Sequence, residues 1–365
     1  MKIFLKYQLK EYFFYTFSFF FGFSAIITLI KGIFTLQKFI ELNPSLFHIF
    51  AIFILIFLQF ISFIYPLSAF MGVIFTIYRL KDEKELLAFY SLGFSLKDFL
   101  RPLGIFMGIS FIITFVANFW ILPWTKRTQK IIKIDLIKKQ FKRPFPAKKP
   151  VPLGKIYVLY VKNSQKKGDI HKFEKVFLFK KTGEKKMLFL TKEGYLSVKD
   201  NIFELDQGWA FSLNKAENIE VLKFKNYKFL VSLKELAKIP YFTRGEKPFL
   251  ELKEELKKIP PKTSRYYRYL TEYYSRILYS FSIIFLILQA FLLGFCLRSS
   301  HKFLIFFIGI VVYLLFYLTY QFLVSLGENG RLYPLLSFLV FYTSVSLLLF
   351  VQIAILKKKK GGIFL

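Results

Sequence analysis

The chain has 365 residues, 55% of them hydrophobic, and 54 Lys and Arg against 23 Asp and Glu. A single cysteine, Cys296, excludes an intrachain disulfide and a thiolate metal site. The chain contains no G-x-x-x-x-G-K-[ST], H-E-x-x-H or G-x-S-x-G, so any ATP hydrolysis must come from another chain, and the positive charge has no nucleic-acid recognition motif beside it.

Runs free of acidic and basic residues cover 12–30, 42–78, 102–124, 277–297, 303–326 and 332–356. A helix needs roughly 20 apolar residues to cross the hydrocarbon layer, so these are six candidate spans. The second run is long. Pro66 offers it a place to kink, and it reads as one tilted helix with an interfacial start at "LNPS". Lys2, Lys6 and Lys10 precede a run of full spanning length with no small-residue cleavage site, which reads as an anchor. Short loops on one side carry those lysines, then Arg79, Lys81, Lys84, Lys97 and Arg101, then Arg298 and Lys302, and finally 357–360. The opposite short loops hold only Lys31, Lys38 and Arg331, so the positive-inside rule predicts both termini in the cytoplasm.

The organisation expected is therefore 1–124 for the first three spans, 125–271 for an extracytoplasmic domain, and 272–365 for the last three spans with a basic tail. Inside 125–271 the pattern turns to short β-branched and aromatic stretches: "KIYVLYV", "KVFLFKKTGEKKMLFLT", "GYLSV", "NIFEL" and "GWAFSL", broken by Lys-Asp and Asp-Gln-Gly. These predict an antiparallel sandwich or roll. Several strands are apolar on both faces. That fits a sandwich core with a buried partner contact, or an open roll whose inside holds acyl chains. "KRPFPAKKPVP" precedes the domain as a linker, and "ELKEELKKIPP" follows it as a short charged helix stopped by prolines.

Between the second and third spans lies "KDEKELLAFYSLGFSLKDF". Asp82 can cap a helix over about 82–92, with Glu85 completing a capping-box pair. Leu86, Phe89 and Tyr90 fall on one face, Gly93 is placed to end the helix in a left-handed conformation, and Ser95 with Asp98 restarts one. Such a segment either returns the chain along the membrane surface or docks as a coupling helix on an ATPase. In the second case Glu85 would meet a basic group and Phe89 and Tyr90 would fill an apolar slot.

The stretch "EKELLAFYSLGFSLKDFLRP" resembles the cytoplasmic segment of the LptF/LptG permeases, whose pattern runs approximately S-E-L-x-x-M-R-x-x-G-x-S. Glu85, Leu86, Gly93 and Ser95 match. Lys84 departs at the first position, and Tyr90 replaces the arginine, whose role is not carried over. "SLKEL", "TEYYSRILYS" and "LGENGRLYP" fit the same family layout across essentially the whole chain. The resemblance implies six transmembrane helices with an inserted all-β, jellyroll-like periplasmic domain in the bacterial inner membrane. It also implies a non-catalytic permease of an ABC transporter that exports lipopolysaccharide. The implied partners are an LptB-like ATPase dimer holding ATP and Mg, a second LptF/LptG-like subunit and an LptC-like periplasmic protein. Coupling would then fall on Glu85, Leu86, Phe89, Tyr90, Gly93 and Ser95.

Lys31 and Lys38, seven apart at the outer end of the first span, either contact lipid phosphates or snorkel to the interface. Glu272 and Arg276 form an i,i+4 structural pair. Gln59, Asn118, Gln289 and Gln321 are expected to bond between helices rather than line a pathway. A membrane-anchored scaffold or an integral-membrane lipid-modifying enzyme are the alternatives from other classes. Neither would need the coupling segment or an ATPase.

Overall fold

The computed structural model describes residues 2–40, 44–142, 145, 148–153, 157–167, 170–182, 185–197, 202–213, 219–230, 242–297 and 301–359. The chain divides into two compact units. One comprises Met1–Ile33, Ala51–Thr128 and Phe242–Leu365; the other comprises Phe34–Phe50 and Gln129–Tyr241.

The first unit is helical. Among the described residues six helices are long and apolar enough to cross a membrane. In chain order the elements are α1 (Lys2–Ile40), α2 (Leu46–Asp82), α3 (Glu85–Ser91), α4 (Leu96–Val116), a π-helical turn (Ala117–Ile121) and α5 (Leu122–Lys142). After the sheet come a 3-10 turn (Arg244–Glu246), α6 (Phe249–Lys258), α7 (Ser264–Cys296), α8 (Lys302–Glu328) and α9 (Pro334–Lys359). The long second run is one uninterrupted helix with Pro66 buried inside it. In a bundle such a proline is tolerated because neighbouring helices re-satisfy the freed backbone groups. The core joins α1, α2, α4, α7 and α8 through side chains such as Tyr12, Phe70, Phe106, Ile287 and Tyr313. Where α1 crosses α2, a Cβ on Gly72 would strike the Thr16 hydroxyl and lie 2.8 Å from the Thr16 backbone nitrogen, so the missing side chain sets the helix spacing.

The segment "ELKEELKK" folds as α6 and clusters with the helices rather than with the sheet. The turn that leads into it is held by Arg276, which is 3% exposed. Arg276 donates from Nε to Glu272 Oε1 (3.2 Å), from Nη1 to the Lys247 carbonyl (2.7 Å) and from Nη2 to the Arg244 carbonyl (3.0 Å). Arg244 in turn reaches Glu328 at the end of α8 (2.6 Å). The i,i+4 pair read from sequence is thus one bond of a larger clamp.

The second unit carries one six-stranded antiparallel sheet in the order β1 (Val151–Leu153), β2 (Tyr157–Lys167), β3 (Ile170–Thr182), β4 (Lys185–Ser197), β5 (Ile202–Leu213) and β6 (Ile219–Leu230). The inserted all-β domain is as the sequence implies, with its strands joined sequentially as a meander. Residues 194–197 of "GYLSV" close β4, and residues 202–205 of "NIFEL" and 208–213 of "GWAFSL" are the two ends of β5. Asp-Gln-Gly does not break β5. Gln207 takes a positive φ of 35° inside the strand, as does Lys175 in β3 at 49°. The two sit on one cross-strand row between paired positions, Val161↔Val176 and Asn163↔Glu174 on one side, Thr191↔Gly208 and Glu193↔Asp206 on the other. Along this row the in–out alternation slips: Val161 faces in, Lys162 and Asn163 both face out, and Ser164 turns partly in again. The pairing ladder is interrupted along this row from β2 to β6, as at a β-bulge, and the strands continue on both sides of it without a loop.

One sheet face buries Leu159, Val161, Phe173, Leu178, Phe189 and Phe203. His171 is fully buried there, stacked on Phe173 with Phe145 edge-on. On the other face Tyr160, Phe177 and Trp209 are exposed, and Leu190 completes their row in register. The double-sided apolar character of the strands is therefore real.

Candidate functional site

The helix α3 starts later than the sequence suggests. Asp82 is the last residue of α2, and Lys84, at φ 58°, is the N-cap, with no side-chain cap on the first turn. The capping role expected of Asp82 is therefore corrected: α2 keeps its hydrogen-bonding through Glu83 N–H to Arg79 O (2.9 Å), and the reversal falls at Lys84. The other end is as expected. Gly93 takes φ 83°, its N–H reaches Tyr90 O (3.0 Å), and Phe94 N–H reaches Phe89 O (3.0 Å). That is a Schellman pair with its usual apolar contact, here Phe89 on Phe94 at 5.7 Å. Ser95 then receives Asp98: the Ser95 N–H and hydroxyl both donate to Asp98 Oδ2 at 2.9 Å, opening α4.

With both ends tied by such short turns, the apolar face of α3 is turned into its own bundle. Leu86 is buried, and Phe89 packs against Phe4 of α1 (5.0 Å) and Phe99 of α4 (6.1 Å). Tyr90 meets Phe99 (6.4 Å), and burial pushes its phenol up to about 12. Phe89 and Tyr90 are therefore half-buried against the protein's own bundle, where the sequence reading has them fill an apolar slot on a partner. The outward face is Leu87, Ala88, Ser91 and Leu92, with Leu87 59% and Leu92 73% exposed.

Glu85 is also engaged within the chain. Arg79, from the last turn of α2, pairs with Glu85 (2.9 Å), with Glu11 of α1 (2.7 Å) and with Glu83 (3.2 Å). Tyr7 of α1 accepts from Arg79 and donates to Glu85 Oε2 at 2.7 Å. Three carboxylates thus surround one guanidinium, and the group keeps an excess of negative charge. Two residues on, the Lys81 ammonium donates to the carbonyls of Gly294 (2.6 Å), Phe295 (2.8 Å) and Leu297 (3.1 Å). It neutralises the last carbonyls of α7, where a cation is favoured by the helix dipole. Arg79 and Lys81 together bind α3 and the end of α2 to α1 and α7.

Of the residues singled out from sequence, Glu85, Leu86, Phe89, Tyr90, Gly93 and Ser95 are brought together around α3, the first four facing the bundle. Lys31 is exposed on α1, and the Lys38 side chain lies outside the described residues. Asn118 and Gln321 bond within their own helices, to Thr114 O and Tyr317 Oη (each 2.8 Å), rather than between helices. Sequence reasoning missed Glu11, Arg79 and Lys81. Glu11 is the first acid in the chain, at the edge of an apolar run, and that isolation was the available signal.

Six helices long and apolar enough to span a membrane, interrupted by a β-domain, with a short helix pinned between the second and third, define a polytopic membrane protein. The sequence model of the lipopolysaccharide export system permease LptF/LptG matches residues 6–358. The chain belongs to the LptF/LptG family, and so is an inner-membrane permease subunit of the lipopolysaccharide export ABC transporter. No individually curated protein matches it.

Proposed function

We propose that α3 is the helix through which this permease engages a separate cytoplasmic ATPase, and that the outward face Leu87, Ala88, Ser91 and Leu92 makes the contact. The observation that carries this reading is the division of labour on α3. Its inner face is fixed to α1, α4 and the Arg79 group, while an apolar outer face is left exposed. A helix pinned on one side and apolar on the other can transmit a push. The excess negative charge of Glu11, Glu83 and Glu85 favours a basic group on the ATPase beside that contact. In this role Glu85 acts mainly from within the joint, with Gly93 and Ser95 fixing the angle at which α3 turns into α4.

The ATPase is an LptB-like dimer that supplies ATP and Mg, while a second LptF/LptG-like subunit completes the membrane core. Both termini face the cytoplasm and the sheet faces the periplasm. There an LptC-like protein receives the lipid. The exposed row Tyr160, Phe177 and Trp209 supports a passage of acyl chains along the sheet. Lys31 and Lys38 at the outer end of α1 contact the lipid phosphates.

The test is purification of the tagged chain from its native membranes in mild detergent, with partners identified by mass spectrometry. Wild type recovers an ABC ATPase, and Leu87→Asp with Leu92→Asp, both surface changes, lowers that recovery at least tenfold. Undiminished ATPase recovery with the double variant contradicts α3 as the docking helix.

A further inference from the structure

Beside the first part of α7, at the other end of that helix from the carbonyls capped by Lys81, the helical unit holds an open cavity of about 400 Å³. Ligand sites are commonly of this size. Phe60 and Phe63 of α2 give it an apolar wall, and the π-helical turn brings Asn118 to it. Single π turns inside helices recur at functional sites because they re-aim side chains. Three of the four amides noted in the spans, Gln59, Asn118 and Gln321, line this one cavity.

Its charges do not cancel. Arg276 and Glu272 both line it, but the guanidinium is committed to Glu272 and to the Lys247 and Arg244 carbonyls. Lys126 also lines it, half-buried, and no described residue pairs with its ammonium. Ser62 is only 7% exposed, lines the same space, and its hydroxyl has no hydrogen-bond partner among the described residues. A buried hydroxyl left unmatched costs free energy, and a half-buried ammonium beside it attracts negative charge, so an anion with acceptor oxygens would answer both.

We propose that this cavity binds the phosphate of a lipid head group, with Lys126 as counter-ion, Ser62 and Gln59 as neutral donors, and the first part of an acyl chain along Phe60 and Phe63. A free phosphate would leave the apolar wall unused; a lipid uses both halves. The lipid comes either from the bilayer, as a glycerophospholipid, or from the phosphorylated cargo. The proposal stands on the cavity alone and does not depend on the docking role of α3.

The full-length chain is delipidated in detergent and offered dioleoylphosphatidic acid, dioleoylglycerol and lipid A, with bound lipid counted by native mass spectrometry. Phosphatidic acid differs from the diacylglycerol only in its phosphate. It should bind one per chain and at least tenfold more tightly, and Lys126→Glu should abolish that preference while Lys126→Arg keeps it. Ser62→Phe, which fills the cavity without changing charge, should lower occupancy as far and decides the matter should Lys126→Glu fail to fold. Equal binding of the two diacyl lipids, or phosphatidic acid binding unchanged in Ser62→Phe, overturns the proposal. Whether the protein taken from native membranes carries the mass of a glycerophospholipid or of the cargo identifies the source.

Discussion

Two arginines organise the helical unit, and they do so by different chemistry. Arg276 is 3% exposed and gives two of its three bonds to backbone carbonyls, so its partners move only if the main chain moves. The Arg79 side chain is 22% exposed, and its ion-pair partners Glu11, Glu83 and Glu85 and its hydrogen-bond partner Tyr7 are all side chains, contributed by α1, by the turn after α2 and by α3. The first arrangement is a rigid clamp. The second is a joint, in which side chains can re-pair as α3 is displaced while the charges stay neutralised in part. If α3 receives the ATPase's motion as proposed, compliance is needed at that end and stiffness at the other.

The largest effect is expected at the clamp. Arg276→Ala leaves Glu272 without its partner and two carbonyls without donors, a loss of roughly 3–5 kcal/mol. Its check is the yield of monodisperse protein and the thermal unfolding midpoint in detergent, and near-wild-type values for both would show that the clamp is dispensable. At the joint the cost is smaller but the functional loss specific. Arg79→Gln should lower stability by about 1 kcal/mol and leave the ATPase bound, yet reduce lipid-stimulated ATP hydrolysis in the reconstituted complex about tenfold. If stimulation survives, the joint does not carry the motion.

Gly93→Ala comes next. Its φ of 83° disfavours any side chain, so a cost of roughly 1 kcal/mol is expected. The readout is faster amide exchange confined to α3 and the start of α4. The smallest effect concerns pH at α6. Burial works against ionisation of Glu255, but the bond from Lys247, with a further one from Tyr269, holds its carboxyl below the ordinary glutamate value. A depressed carboxyl contributes above its unfolded value and loses that contribution as pH falls through the folded one. Exchange at α6 should therefore rise on acidification below about pH 4, and Glu255→Gln should remove the pH dependence.

How far this comparison could be read from sequence differs between its two sides. The six spans were legible because charge-free runs of that length have few other uses, and Gly93 and Ser95 because left-handed ends and capping boxes need particular residues. Glu272 and Arg276 were visible as neighbours on one helix face; their backbone partners at Lys247 and Arg244 were not, since periodicity says nothing about distant carbonyls. The joint was the harder half. Arg79 and Lys81 looked like ordinary positive-inside charges, and the alternation of α3 indicated one apolar face without saying whether it faced a partner or its own bundle. The Asp-Gln-Gly of β5 misled for a similar reason: residues that tolerate positive φ mark a bend within a strand as readily as a loop between two.

In the proposed docking, α3 meets the ATPase with its Leu87 and Leu92 side and not with its aromatic one. Single cysteines at Leu87, Phe89, Tyr90 and Leu92, each in a Cys296→Ser background, can be cross-linked in native membranes with a short thiol-to-amine reagent. ATPase adducts are expected from Leu87→Cys and Leu92→Cys and none from Phe89→Cys or Tyr90→Cys. Adducts from the two aromatic positions alone, or from none of the four, would contradict it.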